Sequence, residues 1–149
     1  MGSYILSSEE QQRKKKFAFA HLSERFAAAH TGLRLFLAKQ LHETAHWQDA
    51  ELLETAANFS FEKGHFGKPK LKGSNRLAFN LSHSGDWAAL AVVSTTDCLE
   101  PQEVGVDLEA IAKRSALALA KRFFSTEEWQ SLCSYPDPTQ QNQLFTKLW

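Results

Sequence analysis

Leu77-Ala78-Phe79-Asn80-Leu81-Ser82-His83-Ser84-Gly85-Asp86-Trp87-Ala88-Ala89-Leu90-Ala91-Val92-Val93-Ser94 is the run that decides the fold. Leu77 to Leu81 reads as a strand and Ser84-Gly85-Asp86 as a turn. Trp87 to Ser94 is apolar nearly throughout and reads as a strand buried on both faces. The two are close enough in sequence to pair as a hairpin. Beyond them, residues 95–102 form a polar connection containing Pro101. Val104-Gly105-Val106-Asp107-Leu108-Glu109 then alternates strictly and predicts the next strand.

The flanks read as helices. From Leu22 the apolar residues Phe26, Ala29, Leu33, Phe36, Leu37 and Leu41 recur at helical spacing, predicting about five turns. A second helix is expected from about Thr44 to Ala57, carrying Trp47, Leu53 and Ala57. Phe59 to Phe66 alternates weakly, as a short strand would, and Gly64, Gly67 and Pro69 break it. Gly73-Ser74-Asn75 reads as a turn. Residues 7–20 are polar and basic, with Arg13-Lys14-Lys15-Lys16 leading into Phe17 and Phe19. They read either as a solvated charge run or as an anion-binding arm. Towards the C-terminus a helix is expected over 115–124. Ser125-Thr126-Glu127-Glu128 is a capping box that opens another. Asp137-Pro138 opens a last one, with proline at the first helical position and Leu144, Phe145, Leu148 and Trp149 along it. Helices, strands, a crossing, a strand and more helices predict an α+β layout with a mixed or antiparallel sheet. The break near 95–102 suggests two lobes, 1–102 and 103–149.

A chain of 149 residues, 43% hydrophobic, suits one ordinary domain with a real core. Seventeen basic and seventeen acidic side chains cancel, so no global field points to nucleic acid or membrane. No helix-turn-helix or RNP pattern is present to favour nucleic acid. Cys98 and Cys133 fit no metal-ligand spacing and suit a reducing, cytoplasmic setting. No apolar run approaches the roughly 20 residues of a membrane span.

Three segments carry chemistry. In a strand, residues two apart share one face. Asp107 and Glu109 would then stand together, opposite Val104, Val106 and Leu108, with Cα atoms roughly 6.5–7 Å apart. Two carboxylates that close repel unless a cation lies between them. Oxygen-only ligation suits Mg²⁺, and Gly105 leaves room on that face for a ligand. Taken alone, the pair is a weak signal and reads more readily as an exposed face with two solvated acids. Ser82-His83-Ser84-Gly85 offers hydroxyl, imidazole and backbone donors to an anion. A Ser-His-Asp hydrolase is disfavoured, because adjacent strand residues point to opposite faces and G-x-S-x-G is absent. Gly67-Lys68-Pro69 sets one cation on a constrained loop. Arg25 and Arg34 lie nine residues apart on the long helix, so they face opposite sides and only one can serve a given pocket.

Together, GKP (67–69), FNLSHSGD (79–86), VGVDLE (104–109) and AKRFFSTEEW (120–129) resemble the 4′-phosphopantetheinyl transferases of the larger, Sfp-type subfamily. The resemblance runs from about residue 7 to the end. It implies a fold of two pseudosymmetric lobes, the first complete here and the second partial. It implies transfer of phosphopantetheine from coenzyme A to a serine of an acyl or peptidyl carrier protein, with Mg²⁺ (or Mn²⁺) and release of adenosine 3′,5′-bisphosphate. On that resemblance Asp107 and Glu109 are metal ligands, His83 and Arg34 contact the 3′-phosphate, and Arg13 is similar to another phosphate contact. Ser82 touches phosphate, and Gly67, Lys68 and Pro69 border the adenine. A further family cation falls near Glu10. Lys113, Arg114, Lys121 and Arg122 form a basic patch that could meet an acidic carrier. The family continues past this tryptophan with W-x-x-K-E-x-x-x-K, which holds a third metal carboxylate. The chain is therefore expected to be a fragment or a shortened member, and the alternative function is a lobe that binds coenzyme A or carrier without transfer.

Overall fold

A computed structural model describes residues 4–42, 46, 48–64, 67–74, 76–95, 103–111 and 117–149. Expectations on Thr44, Trp47, Phe66, Asn75, Cys98, Pro101, Lys113, Arg114 and Ser115 lie outside these residues. The chain divides into two compact units, Met1–Leu108 and Glu109–Trp149. The division falls within the acidic run, with Asp107 in the first unit and Glu109 opening the second.

The first unit begins with helix α1, Ser8–Lys15. Ser7 Oγ accepts a hydrogen bond from the Glu10 amide and the Glu10 carboxylate accepts one from the Ser7 amide, which satisfies two amide donors at the helix start. The polar arm is thus a helix. Helix α2, Ala20–Leu41, follows with Phe26, Leu33, Leu37 and Ala38 buried on one stripe. Helix α3, Ala50–Asn58, adds Leu52 and Ala56. Strands β1, Phe61–Lys63, and β2, Pro69–Leu71, pair antiparallel. Strands β3, Leu77–Ser84, and β4, Trp87–Ser94, form a longer antiparallel hairpin in the register Leu77↔Ser94 to Ser84↔Trp87. Its two-residue turn places Gly85 at φ 60, a conformation that side-chain-bearing residues adopt only at a cost. Leu33, Leu37, Leu71, Leu77 and Phe79 make one core cluster, and Ile5, Ala38, Leu52 and Ala56 another.

The second unit holds α4, Leu117–Phe123; α5, Thr126–Cys133; and α6, Pro138–Leu148. Ser125 caps α5 in the expected reciprocal box, and Asp137 caps α6. Ala120, Leu132 and Phe145 form its core. The described architecture is α+β, with small antiparallel sheets. No described helix is long and apolar enough to cross a membrane.

Two strand expectations are corrected. β4 is not buried on both faces: every residue in it is half-buried or exposed, and Trp87 is 76% exposed. Among the described residues β4 pairs only with β3, and helix α2 is the element packed against it. Residues 104–109 keep the alternation, with 104, 106 and 108 half-buried and 105, 107 and 109 exposed, but they form no strand ladder. Side chains of β3 take the part that a neighbouring strand's carbonyls would have taken.

Candidate functional site

Alternation along β3 splits its polar residues between two faces. Leu77, Phe79 and Leu81 face the α2 core, and His83 continues that face to the hairpin tip. Asn80 and Ser82 face the other way. There Asn80 Oδ1 accepts the Val106 amide at 2.9 Å, and Ser82 Oγ accepts the Leu108 amide at 3.1 Å. Ser82 also donates to Asp107 Oδ1 at 2.8 Å. Lys68 donates to the Val104 carbonyl at 2.7 Å and lies 3.9 Å from the Glu103 carboxylate. Gly67, at φ 79, and Pro69 hold the loop that carries Lys68. Lys68, Ser82 and Asp107 are thus gathered along one run, and nothing crowds the Cβ position of Gly105 beside them. Glu109 is exposed and accepts the Ala110 amide at 3.0 Å. No group of three or more His, Cys, Asp or Glu suited to a metal occurs among the described residues.

On the opposite face, a cleft of about 800 Å³ opens between α2 and the hairpin. Phe17, Phe26, Phe36, Leu81 and Leu90 make it largely apolar, and Arg13, Arg25, His83 and Asp86 edge it. Arg25 pairs with Asp86 at 2.6 Å and so ties α2 to the hairpin tip. Arg13 lies 5.2 Å over the Phe26 ring, and His30 packs against the other part of it at 4.1 Å.

Arg34 is corrected from a phosphate contact to a core residue. It is fully buried. Its Nε donates to Glu10 at 2.8 Å, and its Nη1 donates to the carbonyls of Ala56, Ala57 and Phe59. Buried and bonded in that way, the guanidinium is turned into the core and away from the cleft. The opposite-sides reasoning for Arg25 and Arg34 holds, but the cleft-facing member is Arg25. Glu10 is the residue that sequence reasoning passed over. Burial by itself raises its pKa, but hydrogen bonds from His30 and the Ser7 amide, with the Arg34 charge, outweigh that and hold it at about 2. The signal was the S-x-x-E spacing of Ser7 and Glu10, the same one that marks Ser125. Ser82 and His83, grouped beforehand as one anion site, stand on opposite faces of the hairpin, for the reason that argued against a Ser–His pair.

Residues 103–149 match the model of the 4′-phosphopantetheinyl transferase superfamily. The chain is 34% identical over 148 residues to the 4′-phosphopantetheinyl transferase HetI of Nostoc, covering 97% of this chain and 55% of that protein. It is 31% identical over 147 residues to the transferase Sfp of Bacillus subtilis, covering 97% and 61%. Over 89 residues it is 43% identical to the transferase psf-1 of Bacillus pumilus, covering 60% and 34%. By sequence, the chain is a relative of the 4′-phosphopantetheinyl transferases, Sfp-type members among them. It spans little more than half the length of those relatives that it matches end to end.

Proposed function

We propose that this chain carries the coenzyme A-binding and acid-bearing part of a 4′-phosphopantetheinyl transferase. Such an enzyme moves phosphopantetheine from coenzyme A to a serine of an acyl or peptidyl carrier protein and releases adenosine 3′,5′-bisphosphate. The observation that carries the reading is the Ser82–Asp107 hydrogen bond, which ties the acidic run to the hairpin bearing Ser-His-Ser-Gly-Asp. In this reading Asp107 and Glu109 hold Mg²⁺ (or Mn²⁺). The donors fit: two exposed carboxylates offer hard oxygen ligands, and such an ion asks for one or two of these plus waters and phosphate oxygens. When bound, the ion neutralises charge developing on the pyrophosphate.

The chain's own residues bind and orient. Lys68 keeps donors beyond its bond to Val104 and turns them to phosphate, with Gly67 and Pro69 bordering the adenine. Arg13 and His83 take the 3′-phosphate from the cleft edge, and Arg25 joins them in place of the buried Arg34. The carrier brings its own hydroxyl, so no nucleophile is asked of this chain. In this reading residues 1–102 belong to one lobe and 103–149 to its pseudosymmetric second. Lys121 and Arg122, exposed on α4, meet an acidic carrier in this reading. The setting is the cytoplasm, where coenzyme A is at hand.

Calorimetric titration with coenzyme A, with and without Mg²⁺, tests the reading on wild type and Asp107→Ala. Coenzyme A should bind, Mg²⁺ should tighten it, and Asp107→Ala should remove only the Mg²⁺ effect. Failure of coenzyme A to bind overturns the reading. Binding without transfer to a carrier in a turnover assay would instead establish the binding-lobe alternative.

A further inference from the structure

We infer that Asn80 and Ser82 are a paired positioning device for the Asp107 carboxylate. The inference rests on the reading above that Asp107 holds a divalent cation. Val106 and Leu108 flank Asp107, and both of their amides are pinned by side chains from one strand, at Asn80 and Ser82. The spacing matches: two residues apart on β3 meet two residues apart on the acidic run, the natural period of extended chain. Ser82 uses its hydroxyl twice, accepting from Leu108 and donating to Asp107 Oδ1. Its one proton is then committed. Asp107 is held through the backbone on both sides and through one carboxylate oxygen, which leaves Oδ2 as the oxygen to face a cation. Asn80 touches neither acid nor substrate and acts only through the Val106 peptide. Partners that orient a metal ligand in this way are typically worth about 10–100-fold in metal affinity.

Two measurements test it. Amide hydrogen exchange at Val106 and Leu108 is followed in metal-free protein, and Mn²⁺ affinity is followed by electron paramagnetic resonance. Asn80→Leu should speed exchange at Val106, and Ser82→Ala at Leu108. Each should weaken Mn²⁺ by about tenfold or more. Ser82→Thr, which keeps the hydroxyl, should restore both, and it guards against misreading a folding defect. Asp107→Ala should abolish Mn²⁺ binding and leave the full signal of the free ion. Wild-type Mn²⁺ affinity in both Asn80→Leu and Ser82→Ala overturns the inference, whether or not exchange responds. Wild-type Mn²⁺ affinity in Asp107→Ala instead overturns the metal reading beneath it, so the two failures are distinct.

Discussion

Arg34 shows how much a single buried charge constrains its surroundings. A guanidinium taken out of water must find acceptors, and Glu10 takes its Nε donor while three carbonyls take those of Nη1. Removing the carboxylate while leaving the guanidinium strands a buried charge. Glu10→Gln should therefore cost roughly 3–5 kcal/mol, read from urea unfolding at pH 7. The pH dependence has a definite sign. Glu10 titrates at about 2 when folded, against an ordinary 4.5, so its contribution is complete above pH 4.5. That contribution falls away as pH drops through 2, and is of the order of 3 kcal/mol. Acid titration of the folding free energy should show this component in wild type and lack it in Glu10→Gln. Arg25–Asp86 makes the contrast. Both partners are well exposed, and Asp86→Asn should change stability by no more than about 1 kcal/mol.

At the scale of elements, local chemistry explains most of the outcome. The α5 start follows from a capping box whose hydroxyl and carboxylate satisfy amides that the helix cannot satisfy itself. Ser125→Ala should cost about 1 kcal/mol and reduce helicity in the far-ultraviolet dichroism of the chain. The hairpin turn depends on Gly85. Gly85→Val puts a β-branched side chain at positive φ and should cost about 1–3 kcal/mol, read by thermal unfolding. α1, by contrast, was legible at Ser7 and Glu10 but hidden by the basic cluster Arg13–Lys16, which reads as a solvated arm when composition is weighed before caps. The acidic run taught the reverse lesson. Its alternation was readable and survives in the exposure of 104–109, yet alternation does not say what the amides bond to.

For the molecule as a whole, the cancelling charges set behaviour in solution. With 17 basic and 17 acidic side chains and a pI near 7.0, repulsion between copies is weakest at neutral pH. Solubility should pass through a minimum near pH 7, measured by ammonium sulfate precipitation across pH, and should rise when acidic substitutions are added at exposed positions such as Gln140. Each compact unit has its own hydrophobic cluster, around Leu37 in one and Leu132 in the other.

Most helices, the starts of α5 and α6, the hairpin turn and the alternation of the candidate residues were written in the chain, because periodicity, caps and turns are set by neighbours within one or two turns. The distribution of those residues over surfaces was not. Arg34 meets Glu10 across 24 positions, Ser82 meets Asp107 across 25, and Asn80 meets Val106 across 26. Which arginine enters the core, which face of the hairpin receives the acidic run, and which side chains stand in for a missing strand were decided only when folding brought such distant segments into hydrogen-bonding range. Burial then made each unmet donor costly enough to select one arrangement.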